Sequence, residues 1–185
     1  MELLFALGLI VTMTAVAIPN TLGMLDEYRA AGAARYISGR LARVRAEAIA
    51  RSADVGIRFD RTAEGYAYTT YVDGNGNGIR TVEIQSGIDA ELLPAERLPE
   101  KFSGVDFGVL SELPAVDSGS APPGTDPIHV GSSGTATFTP SGTASSGSLY
   151  IRGKGSTQWV VRIFGTTGRT RLLKFDPIRR RWSPS

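Results

Sequence analysis

Two stretches of this chain are built from residue types that do chemistry. The first is cationic: Gly168-Arg169-Thr170-Arg171, then Lys174, then Arg179-Arg180-Arg181-Trp182. On a strand, side chains alternate, so Arg169 and Arg171 share one face. Guanidinium forks match phosphate oxygens, and an aromatic ring beside them stacks on a base. A polyanion such as DNA is the ligand this pattern would take. The simpler alternative is that the same arginines pair with acids elsewhere in the chain or stand solvated. The second stretch is Asp73-Gly74-Asn75-Gly76-Asn77-Gly78. Asp73, Asn75 and Asn77 at alternate positions copy the first half of a calcium loop. The closing bidentate acid is absent, because Ile84 fills its slot and Glu83 stands beside it. Calcium takes about six to eight oxygens, so this is a weak candidate. A tight hairpin turn built on the Asn-Gly steps explains the run without metal. No other cofactor is indicated.

Catalysis finds little support. The chain has one histidine, His129, in a Gly/Ser-rich region, and no cysteine. A thiol nucleophile, a thiolate metal site and a disulfide framework are thereby excluded. No Gly-x-Ser-x-Gly elbow occurs, and the acids of the middle region are dispersed. The expectation is a protein that is not an enzyme.

A third feature is a lone charge. Glu2 precedes an apolar run that continues to Pro19, and residues 3–25 carry no charge at all. An unpaired carboxylate in a bilayer costs roughly 2.5–3.5 kcal/mol, so such a residue calls for a partner. The alternative is a side chain that snorkels at the membrane edge. Twenty-three helical residues reach ~35 Å, enough to span hydrocarbon. A cleaved signal would need a basic n-region, and no Lys or Arg precedes Arg29. A buried core helix is the other competitor, since the run before Pro19 is short. A membrane-inserted helix is the preferred reading. Pro19 would bend or locally open that helix, or mark the end of the span.

The elements that must position these residues follow from periodicity. Ala34, Ile37, Leu41, Val44 and Ala48 recur at spacings of three and four, forming one apolar helical stripe. Residues 2–52 therefore read as one long helix, greasy all round in its first half and one-sided in its second. Alternation predicts strands over 55–59 and 66–72; 79–84 is a third candidate, and 102–110, 135–138, 148–152, 158–164 and 169–175 read as further strands. The Asn-Gly run would join the second to the third as a hairpin. Residues 111–127 (SELPAVDSGSAPPGTDP) read as a long exposed loop. The expected organisation is a membrane and assembly helix over 1–25, its amphipathic continuation over 26–52, and a β-rich globular part over 53–185. The fold class is α+β, a long N-terminal helix on antiparallel sheet.

The net charge of +2 hides a strong asymmetry. Residues 53–149 carry five Lys/Arg against thirteen acids, and residues 150–185 carry nine against one. Such blocks either match each other internally or present a polyanion-binding face.

The stretch from Glu2 to Pro19 (Glu-Leu-Leu-Phe-Ala-Leu-Gly-Leu-Ile-Val-Thr-Met-Thr-Ala-Val-Ala-Ile-Pro) resembles the N-terminal helix of type IV pilins and pseudopilins. Leu-Ala-Arg-Val-Arg-Ala-Glu-Ala-Ile-Ala-Arg-Ser over 41–52, Phe138-Thr139-Pro140-Ser141-Gly142 and Thr167-Gly168-Arg169-Thr170-Arg171 resemble the GspH/FimT branch of minor pilins. The resemblance implies a type IV pilin-like fold and a minor pilin or pseudopilin of a type II secretion system or type IV pilus. It implies insertion in the bacterial inner membrane, with the globular part outside the cytoplasm. Other pilin subunits would be partners, and a tip or priming complex the place of work. It gives Glu2 a role, pairing with the free amine of a neighbouring subunit during assembly. It also implies an alternative function, a pilus-borne DNA receptor using the Gly-Arg-x-Arg element. Members of this family carry a basic leader ending in Gly, cleaved before an aromatic residue that becomes N-methylated. Here Met1 occupies the slot before Glu2, so a start codon further upstream and a longer product are expected.

Overall fold

In the computed structural model of this chain the described residues are 2–131 and 133–184, with side chains described from residue 23 onward. Helix α1 spans Glu2–Arg51, as the periodicity predicts. The side chains of residues 1–22, those of Glu2 and Pro19 among them, are outside what is described, and with them most side chains of the expected membrane half over 1–25. Among the described residues no helix is long and apolar enough to cross a membrane. The stripe behaves as the sequence requires: Ala30, Ala34, Ile37, Leu41, Val44 and Ala48 are all fully buried. Its small residues let the sheet come close, so that Gly153 packs against Ala30. Ser52, with φ +53°, turns the chain out of the helix.

Two antiparallel sheets flank α1. The chain order is β1 (Val55–Thr62), β2 (Gly65–Val72), α2 (Thr81–Ser86), β3 (Ala90–Arg97), α3 (Leu98–Lys101), β4 (Asp106–Phe107), β5 (Ile128–Val130), β6 (Thr135–Phe138), β7 (Gly147–Arg152), β8 (Gln158–Phe164), β9 (Arg169–Asp176) and β10 (Arg181–Pro184). One sheet runs β3-β2-β1-β6; the other runs β10-β9-β8-β7-β4, with β5 also on β7. Alternate residues of β1 (Val55, Ile57, Phe59) and β8 (Trp159, Val161, Ile163) meet the helix stripe in one core. The architecture is α+β, as expected.

Four sequence expectations need correction. Residues 79–84 are not a strand: α2 occupies Thr81–Ser86, and β2 pairs instead with β3. The Asp73–Gly78 run is consequently not a hairpin turn but the entry to α2. The strand expected over 102–110 shrinks to Asp106–Phe107, because Gly104 takes φ +80° just before it. The loop over 111–127 is only partly exposed. Leu113 is buried with Tyr150, Val160, Leu173 and Phe175 in a second, smaller core on the outer face of the six-stranded sheet. Buried Gln158 anchors the approach to this strap, accepting from Leu110 N at 2.9 Å and donating to Gly108 O at 3.1 Å.

One polar cluster ties α1 to the four-stranded sheet. Glu96 on β3 accepts from the Tyr36 hydroxyl at 2.6 Å and the Tyr68 hydroxyl at 3.3 Å. Arg40 stands 3.3 Å away and Lys101 3.6 Å. Burial pushes this carboxyl up, but the Tyr36 hydroxyl, the Arg40 and Lys101 charges and the Tyr68 hydroxyl outweigh it and hold it below the usual range. A depressed carboxylate stabilises the fold above its unfolded value of about 4.3, and that contribution is lost as pH falls through the folded value. Glu96→Gln is expected to cost about 1.5–3 kcal/mol at pH 7, with the gap to wild type closing under acid. Urea midpoints from pH 7 down to acid check this; a pH-independent gap would contradict it. Leu41→Ala is expected to cost about 2–5 kcal/mol by opening a cavity in the stripe, read from the same urea curves.

Candidate functional site

The Gly168 turn is placed by residues far from it in sequence. Arg45 of α1 donates from Nε to Gly142 O at 3.0 Å. Gly168 closes the β8–β9 turn, its N–H bonded to Phe164 O at 2.8 Å. It has φ +59°, and a Cβ there would stand 2.4 Å from Gly142 O and 2.9 Å from Arg45. Only glycine fits, on both conformational and steric grounds. Thr170 points inward, its hydroxyl 2.6 Å from that of Ser38 on α1. Arg169 and Arg171 therefore point out and are exposed, as the alternation predicted. Among the described residues neither forms a salt bridge. Arg171 lies opposite Arg162, whose guanidinium is held by Asp117 of the strap at 2.7 Å. A shallow cavity of about 260 Å³ beside the turn is lined by Ala42, Arg45, Gly168, Arg169 and Thr170.

The other cationic residues do not join this group. A strand rises about 3.3 Å per residue, so the eight residues of β9 put Arg169 and the β9–β10 turn roughly 23 Å apart. Lys174 forms a salt bridge to Glu27 of α1. Arg179 lies 3.8 Å from Asp176. Arg180 donates to Glu112 O at 3.0 Å, with the Glu112 carboxylate at 3.6 Å. Arg181 stands opposite Asp176 across the hairpin, and among the described residues it forms no ion pair. Trp182 is part of the second core: its ring packs on Phe175 at 5.4 Å and Tyr150 at 6.1 Å, and its Nε1 donates to Pro114 O at 3.0 Å. Among the described residues, two of the nine cations after residue 149 pair with acids of 53–149: Arg162 with Asp117 and Arg180 with Glu112.

The Asp73 loop is organised by its own backbone. Asp73 is buried and accepts from Asn75 N at 3.0 Å, Gly76 N at 2.8 Å and Gly78 N at 2.7 Å. Burial pushes its carboxyl up, and these amides more than compensate, holding it below the ordinary value. Asn75 and Asn77 both donate to Glu83 Oε1, at 3.1 and 2.8 Å. Buried Asp89 accepts from Gly74 N and Arg80 N, closing the loop from the other side. Asp73, Asn75 and Asn77 are therefore brought together, with Glu83 completing the ring. Among the described residues no group of three or more His, Asp or Glu side chains is placed to hold a metal. His129 spends its Nε2 on Asp126 O at 2.7 Å and packs edge-on to Tyr150.

A family model described as Type II transport protein GspH matches residues 33–167. This chain belongs to the GspH family. Among curated proteins none matches the sequence. The fold is similar to two structures of the minor pseudopilin EpsH from the type II secretion system of Vibrio cholerae. One has TM-score 0.49 and 20% identity over 79% of this chain and 97% of that one. The other has TM-score 0.48 and 18% identity over 79% and 94%. The GspH match takes in α1 from Ala33 onward and both sheets as far as the β8–β9 turn. Glu2, Pro19, Arg169, Arg171 and the β9–β10 hairpin lie outside it.

Sequence reasoning missed Arg45, Ser38 and Glu96 as positioning residues; nothing in local spacing links them to partners roughly 60 to 130 positions away. Gly168→Ala in this GspH-family chain is expected to lower stability by about 1–2 kcal/mol, the left-handed cost of a Cβ, plus the clash with Gly142. Thermal midpoints of the variant and of Arg169→Ala check it: the latter should be nearly neutral. Asp73→Ala removes the shared acceptor of the Asn75, Gly76 and Gly78 amides and is expected to cost about 1–3 kcal/mol with a chelator present. An unchanged midpoint in chelator would contradict the backbone-centred description.

Proposed function

We propose that this GspH-family chain is a minor pseudopilin, inserted in the bacterial inner membrane by residues 1–25 and carrying its globular part in the periplasm. Residues 26–52 continue the helix into the globular body over 53–185. The observation that carries this reading is the change in α1 at about residue 30. From Ala30 onward its stripe is buried by both sheets, while Met24, Leu25 and Tyr28 just before it are exposed apolar side chains. The residues before Met24 are uncharged back to Leu3. Such a helix has one half committed to its own domain and one half left for lipid and other pilin-like subunits. Incorporation at a filament tip or in a priming complex fits a subunit of this kind. In that assembly the Glu2 carboxylate pairs with a neighbour's amine, which removes the cost of an isolated intramembrane acid.

Glu2→Ala is expected to insert normally and to be lost from sheared filaments. Quantifying the variant in membranes and in filaments tests this; normal amounts in filaments would remove the role of Glu2.

A DNA-receptor reading rests on one observation, the exposure of Arg169 and Arg171 on one strand face, with no acid partner among the described residues. Two phosphate contacts would give duplex binding a log–log salt slope of about −2, abolished in Arg169→Ala/Arg171→Ala. Fluorescence anisotropy across a salt series reads this slope. Absence of binding at low salt leaves the assembly reading alone.

A further inference from the structure

The sheet is aligned along α1 in a definite direction. Thr170 meets Ser38, and four residues later Lys174 meets Glu27. Eleven residues of helix cover about 16 Å and four of strand about 13 Å, so β9 runs nearly antiparallel to α1. Two more residues bring Asp176 about level with Gly23, and the turn over 177–180 reaches further toward the start of α1. The β7–β8 turn lies at the same end, with Lys154 Nζ 4.0 Å from Asp26.

This end differs from the rest of the surface. Ile178, at the tip of the β9–β10 turn, is 92% exposed, Tyr28 is 74% exposed and Met24 63%. Arg179, Arg180 and Arg181 follow Ile178 directly, and all three are exposed. Among the described residues six cations gather here (Arg29, Lys154, Lys174, Arg179, Arg180, Arg181) against four acids (Asp26, Glu27, Glu112, Asp176), leaving two positive charges in surplus. The ion pairs among them are solvent-exposed and therefore weak, so their cations stay available to a stronger anionic field. An apolar wedge ringed by arginines is the pattern that sits at a headgroup boundary, apolar part in the acyl region and charges at the phosphates.

We infer that the β9–β10 turn, with Ile178 as wedge and Arg179–Arg181 around it, docks on an anionic phospholipid surface beside the point where α1 leaves the membrane. The proposal rests on the membrane-anchored reading of residues 1–25, and it assigns the basic C-terminal hairpin to lipid rather than to nucleic acid. Continuity with the uncharged start of α1 and the surplus positive charge select lipid as the occupant. The domain is then held at two points, the helix and the hairpin, so its orientation to the bilayer is fixed.

The chain has no cysteine, so single labelling is unambiguous. Full-length Ile178→Cys, carrying an environment-sensitive fluorophore, is reconstituted into nanodiscs containing doxyl-lipid quencher, with either phosphatidylglycerol or only phosphatidylcholine. Ala46→Cys, at the far end of the domain, serves as control. The expected result is a blue-shifted, quenched probe at position 178 in the phosphatidylglycerol discs. That quenching is lost in phosphatidylcholine discs and in Arg179→Gln/Arg181→Gln, while position 46 is unaffected throughout. Protein that co-elutes with phosphatidylglycerol discs but shows no quenching at 178 overturns the lipid contact alone. Protein that fails to co-elute with any disc overturns the anchoring reading, and the docking with it.

Discussion

Both sheets of this protein depend on one row of side chains. Ala30, Ala34, Ile37, Leu41, Val44 and Ala48 line a single face of α1, and each is fully buried. The four-stranded sheet supplies Val55, Ile57, Phe59 and Phe138 to that row; the six-stranded sheet supplies Leu149, Ile151, Trp159, Val161 and Ile163. Burying apolar side chains at this density is the dominant favourable term in folding, and here the helix is the shared surface. Without it the inner faces of both sheets would stand open to water. The alanines matter as much as the larger residues, because they let the backbones of helix and sheet approach closely.

Polar contacts then set where along the helix each sheet sits. Glu96 clasps Tyr36 and Arg40, Thr170 meets Ser38, Arg45 reaches Gly142, and Lys174 pairs with Glu27. None of the exposed pairs contributes much stability alone. Spread over nearly twenty residues of α1, they fix the direction of β9 relative to the helix. This has a functional consequence. The Gly168 turn with Arg169 and Arg171 is held at the end of the domain distant from the start of α1, and the β9–β10 hairpin at the near end. Sequence proximity had joined these cations into one patch; the strand between them separates it into two.

Local pattern made the main elements legible. A strict three-four spacing announced the α1 stripe, alternation announced β1 and β2, and β6, β7, β8 and β9 were also expected as strands. What was hidden had physical reasons. Ile79, Val82 and Ile84 alternate well enough for a strand, yet the Asp73 carboxylate and Asp89 wrap the backbone around them, and Glu83 turns toward Asn75 and Asn77. Short apolar runs carry this ambiguity generally. β3 contains Pro94, a residue that argues against a strand except at an edge, which is where β3 lies. β5 and β10 are only three and four residues long, too short for periodicity to register. At the candidate site, outward-facing Arg169 and Arg171 were readable from alternation. The engagement of Trp182 with Phe175 and Pro114 was not, because it depends on a strap nearly seventy residues away.

The family match places the domain; the fate of the uncharged segment before it decides how the molecule works. The most direct measurement is fractionation of native cells with alkaline carbonate extraction, coupled to protease treatment of spheroplasts. The intact polypeptide should stay in the carbonate-resistant membrane pellet, and its globular part should be digested by protease added outside. Recovery of the full-length chain in the soluble cytosolic fraction, free of detergent, would contradict a helix shared between lipid and the two sheets.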